Sequence, residues 1–387
     1  MSIYLDHAAT TPMVDVAIKA MTEQMSQLGN PSSLHTHGRS SRKDIEESRE
    51  QIARLVDCLP SEIIFTASGT EADNIALKGL YWQRKGADRN VVVISAVEHH
   101  AILDSAQWLH DHEGAEIVAI GVDRNGVIDL AQLEKLIAQR GKEICVISIM
   151  HANNETGVVQ PIARVVELAN TFSIPVHSDA VQSFGKIPLS FERLGLTALV
   201  LSGHKFGGPL GIGVLVLRRG VEIPALMHGG GQEREIRSGT LNAPAIVSLA
   251  AAAENAVSRI QERNEWMSVL REDFIRGVIA EVPDAYINGA LASERVAGIV
   301  NVTFPGTQSD TLLLLFDAEG ISCSTGSACS AGVHRPSHVL LAMGHDERSA
   351  QSSLRFSLGW TTTGDDIDRV LGVLPWVIER ARAANLR

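Results

Sequence analysis

Residues Ala198–Gly213 read ALVLSGHKFGGPLGIG. The apolar run Leu199-Val200-Leu201 ends in Ser202-Gly203-His204-Lys205. A glycine-rich turn follows, and then a second apolar run, Val214-Leu215-Val216-Leu217. This predicts two buried strands with Lys205 in the tight turn between them. A buried ammonium is costly unless it is paired or loses its charge. Forming an imine with an aldehyde removes that charge, and a desolvated lysine is suited to it. The alternative is a surface lysine that only solubilises a glycine-rich hairpin, a common arrangement.

The stretch sits late in a long alternation. Strands are predicted at 63–65, 91–95, 116–120, 143–150, 175–178, 198–201 and 213–217. Helices are predicted at 70–83, 99–112, 129–139 and 162–172. Continuous apolar strands alternating with helices predict an α/β fold whose mostly parallel sheet is covered on both faces. Such a sheet places ligands at the carboxyl ends of its strands. Before it, a helix is predicted from Pro12, with Thr11 as its cap. A loop over 29–38 and an amphipathic helix over 39–56 follow. Beyond about residue 240 the texture changes: 243–280 is Ala-rich and helical, 298–304 and 353–358 read as strands, and helices are predicted at 309–318, 336–343 and 363–384. The expected division is a large domain over 15–255 and a small α+β domain formed by 1–14 and 256–387.

Composition narrows the function. The chain has 387 residues, 45% hydrophobic and 20% charged, enough for a large core in two or three domains. Its formal net charge is -11 with no basic run, which disfavours nucleic acid as a partner. The four cysteines (Cys58, Cys145, Cys323, Cys329) form neither a disulfide framework nor a C-x-x-C pair. Reduced thiols in the cytoplasm are expected, with no metal site. The N-terminal MSIYLDHAATTP lacks the features of a signal peptide. No stretch approaches the ~20 apolar residues of a membrane span.

Polar clusters follow the predicted strands one after another. Thr66–Glu71 (TASGTE) opens a helix, so Gly69 and Thr70 face outward at its positive end, suited either to a phosphate or to an ordinary Ser/Thr cap. Glu98-His99-His100 ends one strand, and a histidine there can stack on a flat ring or move a proton. His151–Glu155 (HANNE) ends another, offering two asparagines to a ligand or to a turn. Asp179 ends a buried strand and needs a cationic partner, for which a protonated pyridine nitrogen or an arginine would serve. With Lys205 these are the parts needed to hold pyridoxal phosphate. Lysine is scarce: none follows Lys205, and those before it are expected mostly on exposed faces or loops.

In their order, YLDHAATTP (4–12), SGTEADN (68–74), EHH (98–100), MHANNETG (150–157), HSDAVQS (177–183), SGHKFGGPLGIG (202–213), MHGGGQEREIRSGT (227–240), STGSACS (324–330) and SSLRFSLG (352–359) resemble the cysteine desulfurases. These are pyridoxal-phosphate enzymes of the aminotransferase class V group. The resemblance covers nearly the whole chain. It implies the aspartate-aminotransferase type of fold (fold type I), with a large seven-stranded sheet domain and a smaller C-terminal one. It also implies a homodimer.

By the same resemblance Lys205 carries the cofactor, His99 stacks on its ring and takes part in proton transfer, Asp179 pairs with the pyridine nitrogen and Gln182 meets the ring hydroxyl. Gly69, Thr70, Ser202 and His204 hold the phosphate, and Thr240 reaches the phosphate in a neighbouring subunit. Asn154 and Arg355 grip the substrate carboxylate, a task that suits the planar guanidinium. Cys329 takes sulfur from L-cysteine as a persulfide, leaving L-alanine, and passes it to an acceptor for iron–sulfur assembly or tRNA thiolation. Selenocysteine lyases and aminotransferases share the fold, and Cys329 argues against the latter. Residues 330–335 depart from the usual family loop. Gly69 stands where relatives often carry alanine, a change expected to be harmless.

Overall fold

The computed structural model describes residues 2–326 and 336–385. Twelve strands occur among them: β1 (Ile3–Tyr4), β2 (Ile63–Thr66), β3 (Val91–Ser95), β4 (Glu116–Ile120), β5 (Ile144–Ser148), β6 (Val176–Asp179), β7 (Ala198–Ser202), β8 (Gly213–Leu217), β9 (Tyr286–Asn288), β10 (Ile299–Thr303), β11 (Ile321–Ser322) and β12 (Ser353–Ser357). Seven form one sheet in the order β2-β8-β7-β6-β5-β3-β4. Only β8 runs against its neighbours, pairing antiparallel with β2 and β7. The other pairings are parallel.

The unbroken apolar strands have a direct cause. Side chains alternate between faces, and both faces are covered. Ile63, Phe65, Val91, Val93, Leu199, Leu201, Val214 and Val216 enter one buried cluster. Ile64, Val92, Ile94, Ala198, Val200, Leu215 and Leu217 enter another. Strand β4 is the exception, since it lies at the edge and only Ile120 is buried. Its Glu116 carboxylate accepts a bidentate pair from Arg140.

A second buried cluster system lies around the antiparallel sheet β12-β10-β9. It gathers Phe274, Val300, Val302, Phe316, Leu354, Phe356 and Leu374, together with Ile3 and Leu5 from the start of the chain. Strand β1 pairs in parallel with β11, a contact of two residues on each side that periodicity did not signal.

Most predicted elements are found within one or two residues of their expected bounds. The expected helix at 243–280 is two helices, Ala243–Ser258 and Ile260–Glu281. The expected helix start at Pro12 is corrected: the helix spans Asp15–Met25 with Val14 before it. Thr11 is committed elsewhere, because its N–H and hydroxyl both donate to the His204 carbonyl. Val14 N–H likewise donates to the Gly207 carbonyl. This segment is thus tied to the lysine turn rather than free to cap a helix.

Candidate active site

One cavity of about 360 Å3 opens at the carboxyl edge of the large sheet. The ends of β2, β3, β5, β6 and β7 all deliver residues to it, as the topology requires. Gly69, Thr70, His99, Asn154, Asp179, Gln182, Ser202, His204, Lys205 and Arg355 line it together. Thr240 does not; it is exposed on its own chain. Cys329 lies outside the described residues.

Lys205 ends a single 3-10 turn, Gly203–Lys205, that follows β7 directly. Its ammonium donates to the Ala8 and Ala9 carbonyls at 2.7 and 2.8 Å. Burial, reinforced by Arg355, pushes its pKa down to about 8, with Asp179 and Asp6 opposing. An amine held this way is partly neutral near pH 8 and can attack a carbonyl carbon or take a proton. The turn behind it needs glycine: Gly207 has φ +93°, and a Cβ there would stand 2.9 Å from Val14 and 3.0 Å from Trp360.

Asp179 accepts a hydrogen bond from Val181 N–H at 2.8 Å. No arginine or lysine among the described residues forms an ion pair with it. Burial raises its pKa to about 6. It faces the cavity without the cation its position calls for, so a protonated ring nitrogen suits it. His99 precedes the helix His100–Glu113, and its Nδ1 accepts from Ala101 N–H at 3.0 Å. Burial, then Lys205, lowers its pKa to about 4. A neutral ring with its proton on Nε2 results, and a neutral ring stacks without repelling a cationic one.

At the third corner, helix Gly69–Arg84 points its N-terminus into the cavity. Ser68 Oγ caps it by accepting from Glu71 N–H, so the ordinary cap is present while Gly69 and Thr70 still line the cavity. A helix N-terminus beside Ser202 and His204 suits a phosphate. A Cβ on Gly69 would stand 3.0 Å from Val181 and 3.2 Å from Ser202, so an alanine here asks those neighbours to give by a few tenths of an ångström.

The opposite wall comes from the small sheet. Arg355, on β12, donates to Asp6 Oδ1 at 2.8 Å and to the Asn154 carbonyl at 2.9 Å. Its Nε is buried and has no hydrogen-bond partner among the described residues. A substrate carboxylate could satisfy that donor.

Several cavity residues escaped the sequence reading. Ala8 and Ala9 act through backbone carbonyls, which no side-chain pattern reveals. Asp73 is buried in the helix Gly69–Arg84, and burial together with Asp179 and Glu98 raises its pKa well above the usual range. Its three-residue spacing from Thr70 was the available signal. Glu155, beside Asn154, accepts a hydrogen bond from Ser337 Oγ at 2.5 Å, and burial raises its pKa to about 7. His100 and His338 stack edge-on at 5.3 Å.

Two lysines are drawn inward. Lys78 is buried, its ammonium 4.4 Å from the Trp108 ring centroid, and Lys186 is half-buried and donates to Gln182 Oε1. The other five lysines before Lys205 (Lys19, Lys43, Lys85, Lys135 and Lys142) are exposed and Lys186 stands in a turn, so the expectation of mostly exposed faces or loops holds with Lys78 as the exception. Cys58 is half-buried against the large-sheet core, and Cys145 is buried. Cys323 packs against the small-sheet core, where burial raises its thiol pKa and keeps it protonated.

The model of the aminotransferase class-V family matches residues 3–370. An IscS-like cysteine desulfurase of Mycobacterium tuberculosis is 50% identical over 385 residues, covering 99% of this chain and 98% of that protein. Among solved structures, a NifS-like protein superposes with a TM-score of 0.91 at 35% identity, covering 98% of this chain and all of the other. SspA in complex with cysteine superposes with a TM-score of 0.81 at 33% identity, covering 92% and 99%. The seven-stranded sheet, the lysine turn at its carboxyl edge and these full-length likenesses agree: the chain belongs to the cysteine desulfurases of the aminotransferase class-V family.

Proposed function

We propose that the chain takes sulfur from L-cysteine with pyridoxal 5′-phosphate bound in this cavity, Lys205 as the attachment point and Cys329 as the sulfur acceptor. One observation carries the reading. A lysine of lowered pKa is held on two backbone carbonyls, in one cavity with a helix N-terminus and a buried aspartate that no lysine or arginine among the described residues pairs with. Those donors and acceptors fit a phosphorylated pyridine aldehyde. When bound, that group supplies a carbon for amine capture and a ring that takes up the electrons left as a Cα–H bond breaks.

The chain's own groups divide the remaining work. Gly69, Thr70, Ser202 and His204 hold the phosphate, and Asp179 keeps the ring nitrogen protonated. His99 covers one ring face as a neutral imidazole. Gln182 meets the ring oxygen. Arg355 and Asn154 orient the substrate carboxylate. Lys205, an amine of lowered pKa, would take the substrate α-proton and return it. The Cys329 thiolate attacks the substrate sulfur, breaking its bond to carbon and forming a persulfide, and alanine leaves. Residues 15–255 bring Lys205, the cofactor contacts and Asn154, while 1–14 and 256–387 bring Arg355, Cys329 and the Ala8 and Ala9 carbonyls that hold Lys205. Exposed Thr240 acts in the cavity of a second copy, so the working form is a homodimer. The sulfur goes on to an acceptor such as an iron–sulfur scaffold or a tRNA-thiolation protein, in the cytoplasm.

The test is release of sulfide and alanine from L-cysteine, with and without reductant. Cys329→Ser should keep the cofactor's colour and lose sulfide release. Undiminished turnover would remove Cys329 from the mechanism.

A further inference from the structure

Gln182 is buried and lines the cavity beside Lys205. Both ends of its amide are engaged. Nε2 donates to the Ala8 carbonyl at 2.8 Å, and Oε1 accepts from Lys186 Nζ at 2.6 Å. Neither partner tolerates a flipped amide. A carbonyl oxygen only accepts, and a lysine side chain offers donors to an oxygen. The amide orientation, often ambiguous in a glutamine, is therefore set twice over here. Nε2 carries a second N–H, and this is what the amide can offer the cavity. The Ala8 carbonyl that takes the first N–H also takes the Lys205 ammonium, so the glutamine and the lysine are referred to the same atom.

Lys186 is placed to do this and little else. It lies one helical turn's spacing beyond Gln182, and burial, with Lys205 nearby, pushes its ammonium down to about 7. No carboxylate among the described residues forms an ion pair with it. A half-buried lysine kept without a counter-charge is a cost to the fold. Its one side-chain bond is to the glutamine oxygen.

We infer that Lys186 is a positioning residue: it turns the Gln182 amide so that an N–H, never the oxygen, faces an acceptor oxygen on the bound ligand next to Lys205. The inference rests on the cofactor reading above and deepens it, since the acceptor would be the anionic ring oxygen of pyridoxal phosphate. A donor there stabilises the oxygen anion and weakens its hold on the proton shared with the neighbouring nitrogen. Without Lys186 the amide loses its orientation, and that proton is held more tightly.

The experiment is a pH titration of the visible absorbance of the cofactor-loaded protein, with cofactor retention measured by dialysis. Lys186→Met should raise the apparent pKa of the colour change by about half a unit and weaken retention several-fold. Lys186→Arg, which keeps a donor, should stay near wild type. In a Gln182→Ala background Lys186→Met should add nothing. Additive shifts would mean that Lys186 acts by its own charge, and would overturn the inference, as would an unchanged Lys186→Met. If Lys186→Met does not fold, Gln182→Glu supplies the reading: oxygen facing the ring should raise the same pKa, and an unmoved value overturns the proposal. A wild-type chain that takes up no colour from pyridoxal phosphate would overturn the cofactor reading together with this one. Wild type that colours normally beside an unchanged Lys186→Met overturns the role of Lys186 alone.

Discussion

The cavity has two walls built on different terms. On the large-sheet wall the reactive side chains are held by backbone: Lys205 by two carbonyls, Asp179 by the Val181 N–H, His99 by the Ala101 N–H. Burial is the first cause of each shifted pKa there. On the small-sheet wall Arg355 is held partly by a carboxylate, Asp6, and Glu155 by the Ser337 hydroxyl. Backbone anchors carry no net charge, so an arriving ion does not exchange with them. Side-chain ion pairs can be joined or exchanged by an arriving charged group. The first wall is thus suited to a resident group and the second to one that comes and goes.

The sharpest way to break this contrast is at Lys205. Lys205→Ala should lower turnover by roughly 1000-fold or more, since it removes both the attachment point and the base. The phosphate contacts remain, so pyridoxal phosphate should still bind, but without a covalent link. Borohydride treatment followed by mass measurement checks this. In wild type lacking cofactor, the rate of covalent capture should rise with pH and level off above about 8, because only the neutral amine attacks. A rate rising only near 10 would show that the wall does not desolvate its lysine.

The second wall breaks at Arg355. Arg355→Ala removes charge-assisted bonds worth about 1.5–3 kcal/mol each. The expected result is a fall of about 100-fold in kcat/KM for L-cysteine, with the bound cofactor's spectrum unchanged. Lost cofactor binding would show that Arg355 belongs to the resident wall instead.

Glu155 gives a smaller and pH-dependent test. Its folded pKa is raised to about 7 from 4.5 by burial. The stabilisation this brings is complete below pH 4.5 and is lost as pH rises through 7. Between those values wild type should lose on the order of 3 kcal/mol relative to Glu155→Gln, whose amide still accepts from Ser337. Denaturant melts of both proteins at pH 5 and pH 8 measure the difference. Parallel stability profiles would place the carboxyl in a more solvated setting.

How far the sequence reached differs between the walls for the same physical reason. Asp179, His99, Asn154 and Lys205 each stand where an apolar run stops, so strand pattern and topology together put them on one edge. Arg355 sits inside the apolar run SLRFS, and only the resemblance to a known family singled it out. The carbonyls of Ala8 and Ala9 left no trace in residue types, nor did the two-residue pairing of β1 with β11. Thr11-Pro12 carries a good local helix-start signal that long-range bonds to His204 override. Lys186 stands in a turn as expected, but residue type gave no sign that its ammonium reaches inward to Gln182.

The mildest perturbation asks how rigid the resident wall is. Gly69 begins a helix, where alanine would gain about 0.5–1 kcal/mol in backbone entropy and propensity. Against that gain, its Cβ meets Val181 at 3.0 Å and Ser202 at 3.2 Å. If the helix and β7 are locked by the buried clusters on both faces of the sheet, strain falls on Ser202 and Val181, which are both at the cavity. Gly69→Ala should then leave the melting temperature within about 2 °C, because gain and strain nearly cancel. Retention of pyridoxal phosphate should weaken about threefold, because the strain is delivered where the phosphate sits. Equal retention with a raised melting temperature would mean that Val181 yields instead, and that this wall adapts as readily as the other.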